Sequence, residues 1–215
     1  ITDCDESVTE AVIPDTIEGV TVKTVGIRAF GNCDNLRSVE LPASVTVIES
    51  FGFSDCYSLI SVKMPENLEK IESWAFRDCG NLSSIEIPDK TRKIGEEAFQ
   101  NCAGLDSIEI PASVISIGNS AFGYCSGLRS IKVDKNNTAY SSEDGVLFDK
   151  EKTTLLCYPI GKKQTVYEIP EGVTKIEDTA FSTCTSLRGV GIPKSVTGID
   201  DYAFHMCDSL TDVYY

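Results

Sequence analysis

The chain has 215 residues, 41% of them hydrophobic, and 33 acidic against 19 basic residues give a net charge of -14. That balance argues against nucleic acid and anionic membrane surfaces as partners, since both reward clustered Lys and Arg. No apolar run approaches the roughly 20 residues that cross a bilayer, which argues against membrane insertion as a helix.

Taken in order, the chain beats at a fixed spacing. Residues 1–24 read as a degenerate first repeat. Aligning Pro14 with Pro42 puts Ile13 with Leu41, and the surplus over one period fits a turn at Glu18-Gly19. Cys4 falls one residue out of step with Cys33. Regular units fill residues 25–133. Phe30, Phe53, Phe76, Phe99 and Phe122 step by 23, as do Cys33, Cys56, Cys79, Cys102 and Cys125. A period of this length marks a solenoid, and Leu105, Ile108 and Ile110 spell the L-x-x-I-x-I of a leucine-rich repeat.

Within each unit, Ser107-Ile108-Glu109-Ile110 alternates polar and apolar, which predicts a half-buried strand. Pro111 closes the strand because it lacks the donor that would continue a ladder. Val114 and Ile117 predict a second short extended piece. Ala98, Phe99, Cys102 and Leu105 carry a spacing that predicts about one helical turn on the convex side. The expected architecture is an α/β repeat solenoid, right-handed, with one parallel β-sheet and short helical or irregular convex segments.

The beat breaks once, over residues 134–164. Val146-Leu147-Phe148 and Leu155-Leu156-Cys157-Tyr158 flank a polar link, which predicts a β-hairpin insertion. The period resumes over residues 165–215 with Phe181 and Phe204. There Gly189 and Gly191 leave one strand bare, and the last repeat is incomplete. Val213 and Tyr215 fall at core positions with no polar capping repeat after them, so a longer parent array is expected.

The unit I-x-x-x-A-F-x-x-C-x-x-L-x-x-I-x-I-P-x-x-V resembles the BspA-like class of leucine-rich repeats, and the interruption looks like a variant repeat of that class. The resemblance covers nearly the whole chain. It implies a secreted or cell-surface protein of a host-associated bacterium that binds or adheres to proteins, host extracellular ones among them, without enzymatic activity. The alternative is a passive stalk that displays another domain.

Residues that could carry chemistry have plainer readings. The cysteine spacing fits neither a zinc site nor a compact disulfide framework, and buried free thiols explain it. Cys157, off the column, is the expected exposed thiol. His205 follows a column Phe and should be solvated. Glu96-Glu97 and Asp200-Asp201 suit the start of a helical turn. Asn136, Asn137, Glu143, Asp144 and Asp149 lack the spacing of a calcium loop. Neither a cofactor, a metal nor a catalytic group is expected.

Two surfaces remain as binding candidates. The outward face of the strands presents Ser38, Ser61, Ser84, Ser107 and Ser130, with Glu40, Lys63, Glu86, Glu109 and Lys132 beside them. The insertion carries Tyr140, Phe148 and Tyr158 together with Lys150, Lys152, Lys162 and Lys163. Aromatic rings among cations in an acidic protein suit docking of an acidic protein surface.

Overall fold

The computed structural model describes residues 7–215, so Cys4 and its offset lie outside the described residues. Every 23 residues the chain returns to the same place one strand spacing further on. The result is a parallel β-solenoid of about eight turns.

Two ladders run along it where a single sheet was expected. The first strand segments of each rung pair in parallel and in register, Ser38 opposite Ser61, Ser107 opposite Ser130 and Gly189 opposite Asp212. The second ladder is built from the dipeptides Thr24–Val25, Val47–Ile48, Lys70–Ile71, Lys93–Ile94 and Ser116–Ile117. Proline between them separates the two, because it ends the first ladder and turns the chain. The first ladder is itself interrupted at residues 84–87, which form no strand.

The convex side holds the larger correction. Among the described residues there is no helix, so the α/β class gives way to an all-β solenoid with turns. The reason lies in the backbone. Two residues per rung, four apart, take positive φ: Arg28 and Asn32, Phe51 and Asp55, Glu97 and Asn101. A left-handed residue that often cannot continue a right-handed helix. The amides alternate instead. Ala29, Gly31 and Cys33 donate back three residues, whereas Arg28, Phe30 and Asn32 donate to Ser50, Gly52 and Ser54 of the next rung. Glu97 therefore does not cap a helix; it sits 3.7 Å from Arg77.

Inside, the phenylalanine rings stack nearly parallel, at 4.9 Å for Phe30–Phe53 widening to 5.8 Å for Phe99–Phe122. The cysteines do more than fill space. Five of the thiols, those of Cys56, Cys79, Cys102, Cys125 and Cys207, donate to the carbonyl of the phenylalanine 26 residues earlier, Cys79 to Phe53 and Cys102 to Phe76 both at 3.1 Å. That gives a buried carbonyl a second donor beside the amide three residues on, as Phe76 also accepts from the Cys79 amide at 3.2 Å. All eight cysteines among the described residues are free.

The insertion begins in frame. Asn137 stands 23 residues after Val114 and is fully buried. Its side-chain amide donates to the carbonyls of Pro111 and Val114 at 2.8 and 2.9 Å, and its oxygen accepts from the amides of Ala139 and Tyr140. The chain then forms not one hairpin but three antiparallel strands, Tyr140–Glu143, Val146–Asp149 and Thr154–Cys157. The last of these rejoins the second ladder by pairing in parallel with Lys175–Ile176.

The middle strand crosses the column and divides its core. Leu147 packs with the hydrophobic cluster that begins at Val22, and Val146 and Phe148 pack with the cluster that extends to Ala203.

Candidate functional site

On the strand face, Glu40, Lys63, Glu86, Glu109 and Lys132 all lie exposed at matching positions. Parallel register sets opposite charges side by side: Lys63 Nζ is 2.5 Å from Glu40 and Lys132 Nζ is 3.3 Å from Glu109. Exposed pairs of this kind contribute little to stability, about 0–1 kcal/mol. Their consequence is electrostatic, since the four charges cancel. Glu86, between Lys63 and Glu109, has no ion-pair partner among the described residues. It borders a shallow groove of about 550 Å³, with Asp89 and Asp134 on the turns beyond the strands. The net charge of the groove is therefore negative.

Past the insertion the face changes character. Gly189 and Gly191, expected to be bare, are covered from both neighbouring rungs. Tyr214 donates to Glu168 at 2.6 Å across the glycine strand. A Cβ on Gly191 would lie 1.7 Å from the Glu168 carboxylate, so glycine there leaves room for the clasp.

The insertion does not present the expected basic, aromatic patch. Tyr158 is 1% exposed and stacks on Phe181 at 5.1 Å, taking the place of a column phenylalanine 23 residues before it. Phe148 is likewise fully buried. Tyr140 is half-buried and accepts the Ile117 amide proton at 2.7 Å, which straps the insertion to the preceding rung. Burial raises the phenol pKa of Tyr140 and, more strongly, that of Tyr158.

The lysines are mostly engaged. Lys152 pairs with Glu143 at 2.6 Å, Lys150 donates to the Asn137 carbonyl, and Lys162 donates to the Asp144 carbonyl at 2.6 Å. Lys162 and Lys163 do line one shallow depression with Arg129. It lies beside the end of the strand face, because the neighbouring Gly145 carbonyl accepts from Ile131.

The thiols are also redistributed. Burial pushes the Cys157 thiol up to about 12, so it is not the reactive one. Cys207, at the end of its column, is half-buried and has two opposed contacts. A hydrogen bond from Cys184 pulls its pKa down to about 7, whereas its own S–H meets the Phe181 carbonyl at 3.0 Å and holds the proton on. The lowering prevails, because partial solvation lets the thiolate turn from the carbonyl. His205 is exposed, with its ring edge-on to Tyr202 at 5.4 Å. No cluster of metal-ligating side chains occurs among the described residues.

The BspA type leucine-rich repeat region matches residues 4–144 and 160–215, in six copies. The chain belongs to that family. Among curated proteins, none matches. Solved structures do. A leucine-rich repeat protein of Eubacterium ventriosum is 27% identical, with a TM-score of 0.82 over 98% of this chain and 61% of its own. The pneumococcal vaccine antigen PcpA shares the fold at 24% identity and a TM-score of 0.77, over 99% of this chain and 62% of its own. A leucine-rich cell surface protein of Faecalibacterium prausnitzii is 28% identical, with a TM-score of 0.57 over 96% of this chain and 69% of its own. This BspA-type chain thus spans about three-fifths of the length of the first two.

Proposed function

We propose that the chain is a non-enzymatic protein-binding module, displayed at a bacterial cell surface, that docks a basic protein surface on its strand face. The observation that carries this reading is the charge arithmetic of that face. Register cancels Glu40 against Lys63 and Glu109 against Lys132, leaving Glu86, Asp89 and Asp134 in one groove. Long rows of identical rungs offer extent, and a localised charge on them offers register for a partner. Lys163, with Lys162 and Arg129, supplies a secondary contact beyond Ser130 for an acidic rim on the same partner. A structural relative named as a leucine-rich cell surface protein supports the location.

The test starts from an array of host extracellular proteins probed with the chain at low salt. For each partner found, affinity is compared between the natural chain and the pair Glu86→Lys with Asp89→Lys. The expected result is at least about a tenfold loss, shrinking as salt is raised. Unchanged affinity for every partner would remove the strand face from consideration.

A further inference from the structure

The rung that contains the insertion is two residues short on its convex side. Regular rungs take five residues from the second-ladder isoleucine to the column ring, as from Ile117 to Phe122 and from Ile176 to Phe181. Here Leu155 sits opposite Ile176, and the Tyr158 amide donates to Ala180, so only three residues make the same passage. The column Phe51, Trp74, Glu97, Ser120 therefore has no member in this rung. Ser120 Oγ and Thr179 Oγ1 meet across the gap at 2.7 Å.

Beside that bridge lies a cavity of about 180 Å³ lined by Phe122, Tyr140, Leu147, Leu156, Cys157 and Asp178. Polar groups are left over on both of its sides. In the preceding rung the Glu97 and Phe99 amides donate to Asn119 and Ala121. Among the described residues, the equivalent amides of Ser120 and Phe122 meet no such acceptor. Asp178 lines the same cavity, and its Oδ1 is buried without a hydrogen-bond partner. Burial, then Asp201, Asp200 and Glu177, raise the Asp178 pKa; Lys175 meanwhile pairs with Glu177 and Asp200 at 3.0 and 2.8 Å.

We propose that this gap receives the amino-terminal end of an extended peptide, its ammonium on Asp178 and its first carbonyl on the Ser120 amide. The ligand then stands in for the turn residues that the rung omits. Three features select this class. The unmet groups are a donor and an acceptor lining one cavity, the complement of the amine and carbonyl that a peptide end offers. The acidic wall favours an ammonium. The volume is below the roughly 300 Å³ at which drug-sized sites begin, and suits a residue or two with small side chains. This site is on another face from the strand groove, so either can fail without the other.

Calorimetric titration of the full chain with Ala-Ser-Ala tests it. Saturable binding is expected, at least about tenfold weaker for the N-acetylated peptide and for Asp178→Asn, since a charge-assisted hydrogen bond is lost. The Asp178 pKa is raised in the folded state, so its ionisation opposes folding above the usual carboxylate range. Asp178→Asn should therefore raise Tm at pH 7, which separates lost binding from lost folding. Inserting Asn-Ser between Leu156 and Cys157 restores the rung length and should abolish binding. The proposal is overturned by absence of saturable binding, by equal binding of the acetylated peptide, by n-propylamine binding as well as the tripeptide, or by undiminished binding to Asp178→Asn.

Discussion

Phe99 shows how much one residue carries in a column only one rung thick. Its ring has Phe76 at 5.3 Å on one side and Phe122 at 5.8 Å on the other, and both neighbours are fixed by their own backbone ladders. Neither can move into a gap. Phe99→Ala should cost about 3–5 kcal/mol in a denaturant titration. A loss below about 1 kcal/mol would mean that the stack tolerates a missing ring. The thiols give a second test at this scale. Alkylation at pH 8 followed by peptide mapping should find Cys207 modified first among the described cysteines. Cys157 should react more slowly, because a thiol that burial pushes up to about 12 is almost entirely protonated at that pH. The opposite order would mean that exposure of Cys157 outweighs its burial.

At the scale of elements, the insertion is held by its entry as well as by its strands. Asn137 occupies a position in the valine column and makes four hydrogen bonds from a fully buried site. Asn137→Ala would strand the Val114 carbonyl and two amides, and leave the Pro111 carbonyl with the Val114 amide alone. The expected loss is about 3 kcal/mol by thermal denaturation, with Tyr140 fluorescence shifting as its strap to Ile117 loosens. Asn137→Asp keeps the acceptor for Ala139 and Tyr140 but turns a buried carboxyl oxygen toward the Pro111 and Val114 carbonyls, so at pH 7 it should cost at least as much as Ala. A smaller loss than that of Ala would mean that the donations to Pro111 and Val114 contribute little.

Across the whole molecule, the strand Val146–Asp149 is the junction between two hydrophobic clusters. Stability in a solenoid is close to a sum of rungs and nearest-neighbour interfaces, so cooperativity depends on each interface in turn. Phe148→Ala weakens the C-terminal side of the partition and leaves Leu147 on the other. Differential scanning calorimetry should then resolve two transitions in place of one, the lower belonging to residues beyond the insertion. A single transition at a lower temperature would show that the clusters stay coupled through the outer ladders.

The sequence by itself determined the period, the solenoid and which residues enter the core, because a 23-residue repeat of Phe, Cys, Leu and Ile has one economical way to stack. It also determined which strand residues face outward, since alternation decides that locally. Whether Glu86 or Lys63 is free was legible only once register had placed Glu40 beside Lys63. On the convex side A-F-x-x-C-x-x-L has helical spacing, and only the inter-rung amide bonds make left-handed residues favourable there. Tyr158 and Asn137 look like insertion residues in the chain, yet they sit 23 residues from Phe181 and Val114. Their roles as column members depend on a frame that resumes in space across a segment of the wrong length. The cavity beside Ser120 and Thr179 arises from the same mismatch. Sequence spacing shows that the segment is longer than a repeat, and only the tertiary structure decides where the surplus folds away and where the rung runs short.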